Sequence, residues 1–312
     1  MDKLRAMHVF VRIVDANSFS RAAETLDLPR AALSATIKKL ETYLGAQLLQ
    51  RTTRTLSLTP EGERYYNECA TILEAVEAAE APFLGQSAAQ LQGRLRVGLP
   101  GSLGRKIVLP HIHSFRERYP DLDLIISLTD RLVDLTQEGI DCTVRVGTLP
   151  DSSFIARRLG TMRFLLAAAP GYVARRGMPA HVGDLASHEG IMHFSGRTGR
   201  AFDWELETAE GVVKVAVGGG LAVNDADANL GCALQGLGLA QLARYQARPY
   251  LASGELVEVL PGVTPTAMPV SLLYARGRMA SPRLQAFAQW LGEVFSREPD
   301  VGPDPDGIEQ RS

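Results

Sequence analysis

The stretch SFSRAAETLDLPRAALSATIKKLE, Ser18–Glu41, decides how the first sixty residues are read. Ser18 is placed to cap a helix that continues through Arg21, Ala22, Ala23 and Leu26. Asp27–Leu28 then makes a tight turn. Pro29 suits the first position of a second helix, because the N–H it lacks would go unpaired there anyway. The proline therefore starts a helix and does not break one. Within that helix Leu33, Ile37, Leu40 and Leu44 repeat at helical spacing and form an inward face, and Gly45 ends it. Neither helix is long enough to persist alone in water. A third comes from residues 3–16, where Leu4, Met7, Val11 and Val14 share a face. Helix, tight turn, helix is the arrangement whose second helix fits the major groove of a duplex.

The opposite face of the second helix follows from stepping ~100° per residue away from Leu33. It centres on Ala31 and Ala35, flanked by Ser34, Lys38 and Lys39, with Arg30 at the helix start. Small residues ringed by hydroxyl and cationic groups allow close approach to a polyanion. Next comes LLQRTTRTLSLTPEG, residues 48–62, in which Thr53, Thr55, Ser57 and Thr59 alternate with Leu56 and Leu58. This is the pattern of a short hairpin. Arg51, Thr52 and Arg54 on it are side chains that bind phosphate.

Charge agrees with that partner. Nine Lys/Arg against five Asp/Glu leave residues 1–60 at +4; with −2 overall, the remainder carries −6. A basic unit on an acidic body points to a polyanion for that unit. No apolar run reaches the ~18–20 residues of a membrane span, and the start MDKLRAMHVF does not read as a secretory signal. Three scattered cysteines imply no disulfide framework. A reduced, cytoplasmic protein is expected.

Residues 61–88 read as one long helix. Tyr65, Cys69, Ile72, Val76, Ala79 and Phe83 recur at about 3.5 residues, the spacing of a seam between two helices. A homodimer seam is the preferred reading, and packing on the chain's own body is the alternative. Gln86–Gly93 is a small, polar linker. From Arg94 strands and helices alternate, which implies mainly parallel sheets with covering helices. Expected helices include 103–119, 130–138, 226–237 and 281–296. The tail from Arg297 to Ser312 is rich in proline, glycine and acids and is expected to be disordered.

Several segments together resemble LysR-type transcriptional regulators. They are SFSRAAETL in Phe10–Leu26, IKKLETYLGAQLLQRTTRTLSLTPEG at Ile37–Gly62, LAAAPGYVARRGMPAHVGDLASH and NDADANLGCALQGLGLAQL. The similarity spans about residues 1–295. It implies an α/β protein with an N-terminal all-α winged helix-turn-helix domain (1–60), a dimerising linker helix (61–88) and a hinge (89–93). An effector region (94–296) would follow, made of two Rossmann-like subdomains resembling periplasmic binding proteins. Subdomain I would comprise 94–161 and 268–296, and subdomain II 162–267. The implied partners are double-stranded promoter DNA, a small-molecule effector, and further copies of the chain as a dimer or tetramer; no cofactor is implied.

Recognition helices of this family often carry Ser-Gln at the start and Arg or Gln in the middle. Here Pro29–Arg30 and Ala35–Thr36 occupy those positions. Readout is therefore expected to lean on Arg30, Ser34 and methyl contacts from Ala31 or Ala35, with more weight on DNA shape. Contacts to ~6–8 phosphates on a dimer give a log–log salt slope of about −5 to −7.

Ligands of α/β folds bind at the carboxyl ends of strands. The first strand ends in GLPGSLGRK, Gly98–Lys106, which places Ser102 and Leu103 at a helix start suited to an anion. By resemblance Thr129, Thr148, Phe194, Ser195, Asn224 and Asp225 line the same cleft. A small organic anion is the expected ligand, with a neutral molecule as the alternative because no convergent arginine pair is evident. Enzyme signatures are lacking: PGSLG misses the first glycine of G-x-S-x-G, and Gly101–Lys106 is no P-loop. His111 and His113 lie on different helix faces and do not make a zinc pair. A further alternative is a DNA-binding protein whose α/β part only oligomerises.

Overall fold

A computed structural model of the chain describes residues 1–16, 18–51, 56–84, 91–131, 139–148, 154–194, 198–275 and 281–302. The chain divides into two compact units, with the main division at Ser87/Ala88.

The first unit contains α1 (Lys3–Ala16), α2 (Phe19–Leu26), α3 (Arg30–Leu44), β1 (Leu49–Arg51), β2 (Leu56–Leu58) and α4 (Pro60–Leu84). Ser18 caps α2 through a bond from the Arg21 N–H. Asp27 takes the left-handed conformation that turns the chain, φ 49°. Pro29 stands one place earlier than expected, as the N-cap, and its carbonyl accepts from the Ala32 N–H at 2.8 Å. Leu33, Ile37 and Leu40 are buried as the spacing requires, but Leu44 is 36% exposed because the helix outruns the core. On α1 the buried stripe is Ala6, Val9, Phe10 and Ile13, and Leu4 faces solvent. The aromatic Phe10, packed on Tyr65 and Tyr66, sets that helix's rotation.

The hairpin forms as expected, pairing Leu49 with Leu58 and Arg51 with Leu56. Its join to α4 is tightly built. Thr59 donates its hydroxyl to the Gln47 carbonyl at 2.6 Å and accepts from the Gly62 N–H at 2.9 Å. A Cβ at Gly62 would fall 2.0 Å from the Leu48 carbonyl oxygen, so only glycine fits. Glu41 reaches from α3 to accept from the Leu48 and Leu49 N–H groups at 2.8 and 3.2 Å.

In chain order the second unit runs β3 (Gly93–Leu99), α5 (Gly101–Leu103), α6 (Ile112–Arg118), β4 (Leu122–Leu128), β5 (Cys142–Val146), β6 (Phe154–Met162), β7 (Phe164–Ala168), α7 (Pro170–Arg176), β8 (Glu189–His193), β9 (Trp204–Thr208), β10 (Gly211–Val215), β11 (Gly218–Val223), α8 (Ala226–Leu234), β12 (Leu239–Ala243), α9 (Arg244–Ser253), β13 (Val257–Val259), β14 (Thr264–Pro265), β15 (Met268–Ala275) and α10 (Pro282–Ser296). Two five-stranded sheets result, ordered β4-β3-β5-β15-β6 and β11-β8-β12-β7-β13, with a small third sheet of β10-β9-β14.

The sheets are mixed, not mainly parallel. β3 pairs in parallel with β4 and β5, while β15 runs antiparallel to both β5 and β6. In the second sheet β8 is parallel to β11 and β12, and β7 is antiparallel to β12 and β13. β6 leads directly into β7 in the other sheet, and β15 returns to the first, so these connecting strands run against the βα units. β7 shows why its run FLLAA is apolar throughout: Leu165 and Ala167 enter one core, Leu166 and Ala168 the core on the opposite face. In the first lobe Phe115 packs edge-on to Phe287 and against Trp290, whose indole N–H donates to Ser114 at 2.9 Å.

Four further differences from the sequence reading stand out. The expected helix over 103–119 is broken into α5, a wide turn, a tight turn at Leu109–His111 and α6, with Pro110 at the break. β11 was hidden by its glycines; a Cβ at Gly219 would lie 2.3 Å from the Gly190 carbonyl oxygen, so the close pairing demands glycine at that position. α9 was hidden by Pro249 inside it, which burial of Gln246 and Ala247 outweighs. Part of the tail expected to be disordered is docked: the Thr161 N–H donates to the Val301 carbonyl, the Arg163 N–H to that of Asp300, and Val301 is fully buried. Arg248 pairs with Glu298 and Asp300 there. The helix expected at 130–138 lies largely outside the described residues.

Candidate functional sites

On α3 the inward residues are fully buried, so the complementary face must meet solvent. Arg30, Ala31, Ala35, Lys38 and Lys39 are exposed, and Ser34 is half-buried. Ser34, Ala35 and Lys38 line one shallow concavity with Glu41. Among the described residues no ion pair involves Arg30, Lys38 or Lys39. The backbone of Arg51 ends β1 beside this face's hairpin; Thr52 and Arg54 lie outside the described residues.

The proposed seam on α4 divides. Cys69 is fully enclosed in its own chain's N-terminal core, and Tyr65 packs against that core. Burial raises the Cys69 thiol to about 11, so it stays protonated at neutral pH. Cys69 is therefore core and not seam, while Tyr65 packs on that core and stays half-buried. Further along, Ile72 is 40% exposed, Ala79 is exposed and Val76 half-buried. The side chain of Phe83 lies outside the described residues.

The second site sits where the two five-stranded lobes of the α/β unit face each other. Ser102 is buried at the end of β3, and its hydroxyl donates to Asp227 Oδ1 at 2.7 Å. Buried Gln246, on α9, donates through Nε2 to Ser102 Oγ at 2.6 Å and to Asp227 Oδ1 at 3.2 Å. Arg105 donates through Nε and Nη2 to Asp227 Oδ2 at 3.1 and 2.7 Å. Burial raises the Asp227 carboxyl, but the bonds from Ser102 and Arg105 outweigh it and hold the group below its ordinary value. Tyr245, beside Ser102, has its phenol pushed upward by burial.

Around this cluster Asp130 accepts from the Gly101 N–H at 2.9 Å. Its other oxygen, Oδ2, is enclosed with no hydrogen-bond partner among the described residues. Asp225 caps α8 by accepting from the Ala228 N–H at 2.7 Å, and lies 4.0 Å from Arg105. His193 stacks on Phe202, 6.0 Å between ring centroids. Burial lowers the His193 imidazole against the pull of Asp130 and Asp225, keeping the ring neutral at pH 7.

Of the cleft residues expected from sequence, Ser102 and Asp225 join this cluster and Thr129 adjoins Asp130. Thr129 accepts from the Arg131 N–H through its hydroxyl, at 3.2 Å. The Phe194 N–H donates to the Val223 carbonyl at 2.9 Å. Leu103 is corrected: its side chain is fully buried in the lobe core. Thr148 and Asn224 are exposed, and Ser195 lies outside the described residues. The anion site expected at the helix start is already filled, since Asp130 takes the Gly101 N–H and Asp227 takes the Ser102 hydroxyl. Arg105, Asp130, Asp227, Tyr245 and Gln246 were missed. Asp227 follows the α8 cap by two residues and was legible as a first-turn acid; Gln246 lay in the helix that Pro249 concealed.

A winged helix-turn-helix with a cationic outward face, joined to a two-lobed α/β unit with a polar cluster between its lobes, defines a DNA-binding transcriptional regulator. Residues 4–63 match the bacterial regulatory helix-turn-helix protein of the lysR family, and residues 88–296 match the LysR substrate binding domain. An HTH-type transcriptional repressor of Pseudomonas aeruginosa (strain UCBPP-PA14) is 39% identical over 305 residues, covering 98% of this chain and 96% of the relative. The HTH-type transcriptional regulator YhjC of Escherichia coli (strain K12) is 38% identical over 296 residues, covering 95% and 98%. The structure of CrgA, a LysR-type transcriptional regulator from Neisseria meningitidis, aligns with a TM-score of 0.59 at 31% identity, covering 93% of this chain and 97% of that one. The chain belongs to the LysR family of transcriptional regulators. No helix among its described residues is long and apolar enough to cross a membrane.

Proposed function

We propose that this regulator's grip on promoter DNA is modulated by a small molecule bound between the two α/β lobes, near Ser102, Thr129, Asp130, His193 and Asp225. The observation that carries this reading is the buried polar cluster. Ser102 and Gln246 are each 2% exposed, and polar groups that converge in an enclosed place between two lobes are the lining a small-molecule site uses. The enclosed Asp130 Oδ2 adds an acceptor to which a ligand can donate.

On the DNA side, Arg30 and Ser34 read base edges, Ala31 and Ala35 meet thymine methyls, and Lys38, Lys39, Arg51, Thr52 and Arg54 hold phosphates. The distal part of α4, through Ile72, Val76, Ala79 and Phe83, pairs two copies so that two half-sites are read. Dimers then assemble into tetramers in the cytoplasm, where promoter DNA lies. Ligand binding shifts the balance between lobe arrangements and so changes the spacing of the paired N-terminal units.

Thermal melting of the full chain against a panel of small metabolites tests this. At least one is expected to raise the melting temperature and to change promoter affinity at fixed salt. If none does either, the α/β unit is an oligomerisation scaffold.

A further inference from the structure

We propose that Asp227 is the resident occupant of a carboxylate site formed by Ser102, Arg105 and Gln246, and that it latches the two lobes until a small carboxylate effector takes its place. The proposal rests on the effector reading above and narrows it to one ligand class.

The geometry is that of a bound carboxylate. Oδ1 receives the Ser102 hydroxyl at 2.7 Å and the Gln246 amide at 3.2 Å. Oδ2 receives two guanidinium N–H groups of Arg105, at 3.1 and 2.7 Å. Four donors from three side chains converge on one carboxylate, and charge-assisted bonds of this kind are about twice as strong as neutral ones. Ser102 and Arg105 belong to the segment after β3, in the first sheet's lobe. Asp227 and Gln246 stand on α8 and α9, which cover the second sheet. Each bond from Ser102 or Arg105 to Asp227 therefore ties one lobe to the other.

Ser102 and Gln246 are buried, and Gln246 also donates to Ser102 Oγ at 2.6 Å, a further tie between the lobes that keeps these two donors together when Asp227 leaves. Arg105 is half-exposed, with 47% of its side chain accessible, and Asp227 keeps 29%. The pair is reached from solvent on one side, which gives an incoming carboxylate an entry. Such an effector inherits the four donors and leaves Asp227 free to hydrate. Its remaining atoms find Asp130 Oδ2, which stands close to Arg105.

The test removes the resident group and asks whether a free one replaces it. In the full-length chain, Asp227→Ala leaves a gap the size of formate. The variant should melt lower than wild type, and sodium formate should recover about 2–4 °C relative to sodium chloride of equal ionic strength. Wild type should show no such formate-specific gain. Adding Ser102→Ala to Asp227→Ala should abolish the recovery. Equal formate responses in all three chains would overturn the proposal. Should Asp227→Ala fold poorly, Asp227→Asn preserves the side-chain shape. Any carboxylate effector found in the metabolite screen should then bind Asp227→Asn at least tenfold more tightly than wild type. An unchanged affinity overturns the latch yet leaves the effector reading standing. A screen without hits, alongside formate recovery in Asp227→Ala, overturns modulation by a ligand but upholds the carboxylate site.

Discussion

The outward face of α3 and the cluster between the α/β lobes are both polar, and they are built in opposite ways. On α3, Arg30, Lys38 and Lys39 project into solvent without an internal ion pair among the described residues, while the helix is held from behind by Leu33, Ile37 and Leu40. In the cluster the donors turn inward: Ser102, Arg105 and Gln246 all converge on Asp227 of the same chain. One surface is waiting for charge from outside; the other has supplied its own. A cation left unpaired costs little in water and gains when it displaces counterions from a duplex. A buried hydroxyl or amide left unpaired costs about 1–3 kcal/mol, so Ser102 and Gln246 are satisfied from within the chain and a ligand must compete for them, while Asp130 Oδ2 is left as an acceptor.

The sharpest way to separate the two regions is to break the core behind α3. Leu33 is fully buried, so Leu33→Ala should cost about 2–5 kcal/mol in the N-terminal unit and abolish promoter binding. Both tryptophans, Trp204 and Trp290, lie in the α/β unit, so their fluorescence reports that unit alone. Urea unfolding followed by fluorescence should be unchanged, while the far-ultraviolet circular dichroism transition shifts to lower urea. A parallel fall in both signals would show that the two regions do not fold independently.

Specificity gives the next largest effect. Arg30→Ala should lose about 1–3 kcal/mol on operator DNA and less on random DNA, measured as the ratio of the two affinities. An unchanged ratio would mean that Arg30 contacts phosphate alone. Lys39→Ala should weaken both equally, by about tenfold, and lower the log–log salt slope by about one for each phosphate no longer neutralised. An unaltered slope would place Lys39 away from the duplex.

How far each region was legible follows from how local it is. The inward spacing of Leu33, Ile37 and Leu40, the Ser18 cap and the hairpin that pairs 49–51 with 56–58 are all written within a few residues of each other, and each forms as read. Other local readings slipped for local reasons, Pro29 by one place and Leu44 at the helix end among them. The stripe on α1 turned because Phe10 takes the core, and the long period on α4 ran through Tyr65 and Cys69, which the chain's own core claims. The cluster is another matter. Ser102 meets Asp227 from 125 positions away and Gln246 from 144, and no periodicity carries that distance. Ser102 was reachable through its place at a strand end. Of its partners, Gln246 lay in a helix masked by Pro249, and Asp227 could be read as a first-turn acid of α8 but not as the group Ser102 meets.

The smallest expected effect tests whether the cluster's charge stabilises the fold as its geometry implies. Asp227 is held below its ordinary value of 3.8: burial pushes it up, and the bonds from Ser102 and Arg105 push it down further. Lys106 also favours its ionised form, whereas Asp130 and Asp225 stand close to Arg105 and share its charge. A carboxyl with a depressed folded value contributes stability that is complete above its unfolded value and is lost as pH falls through the folded one. The stability difference between wild type and Asp227→Asn, from urea unfolding followed by tryptophan fluorescence, should therefore be flat from about pH 7 to pH 5 and shrink below about pH 4. Solvent reaches the pair, so the difference should be modest even at its plateau. A difference at Asp227 that persists undiminished to about pH 3 would show that its shape, not its charge, holds the lobes together.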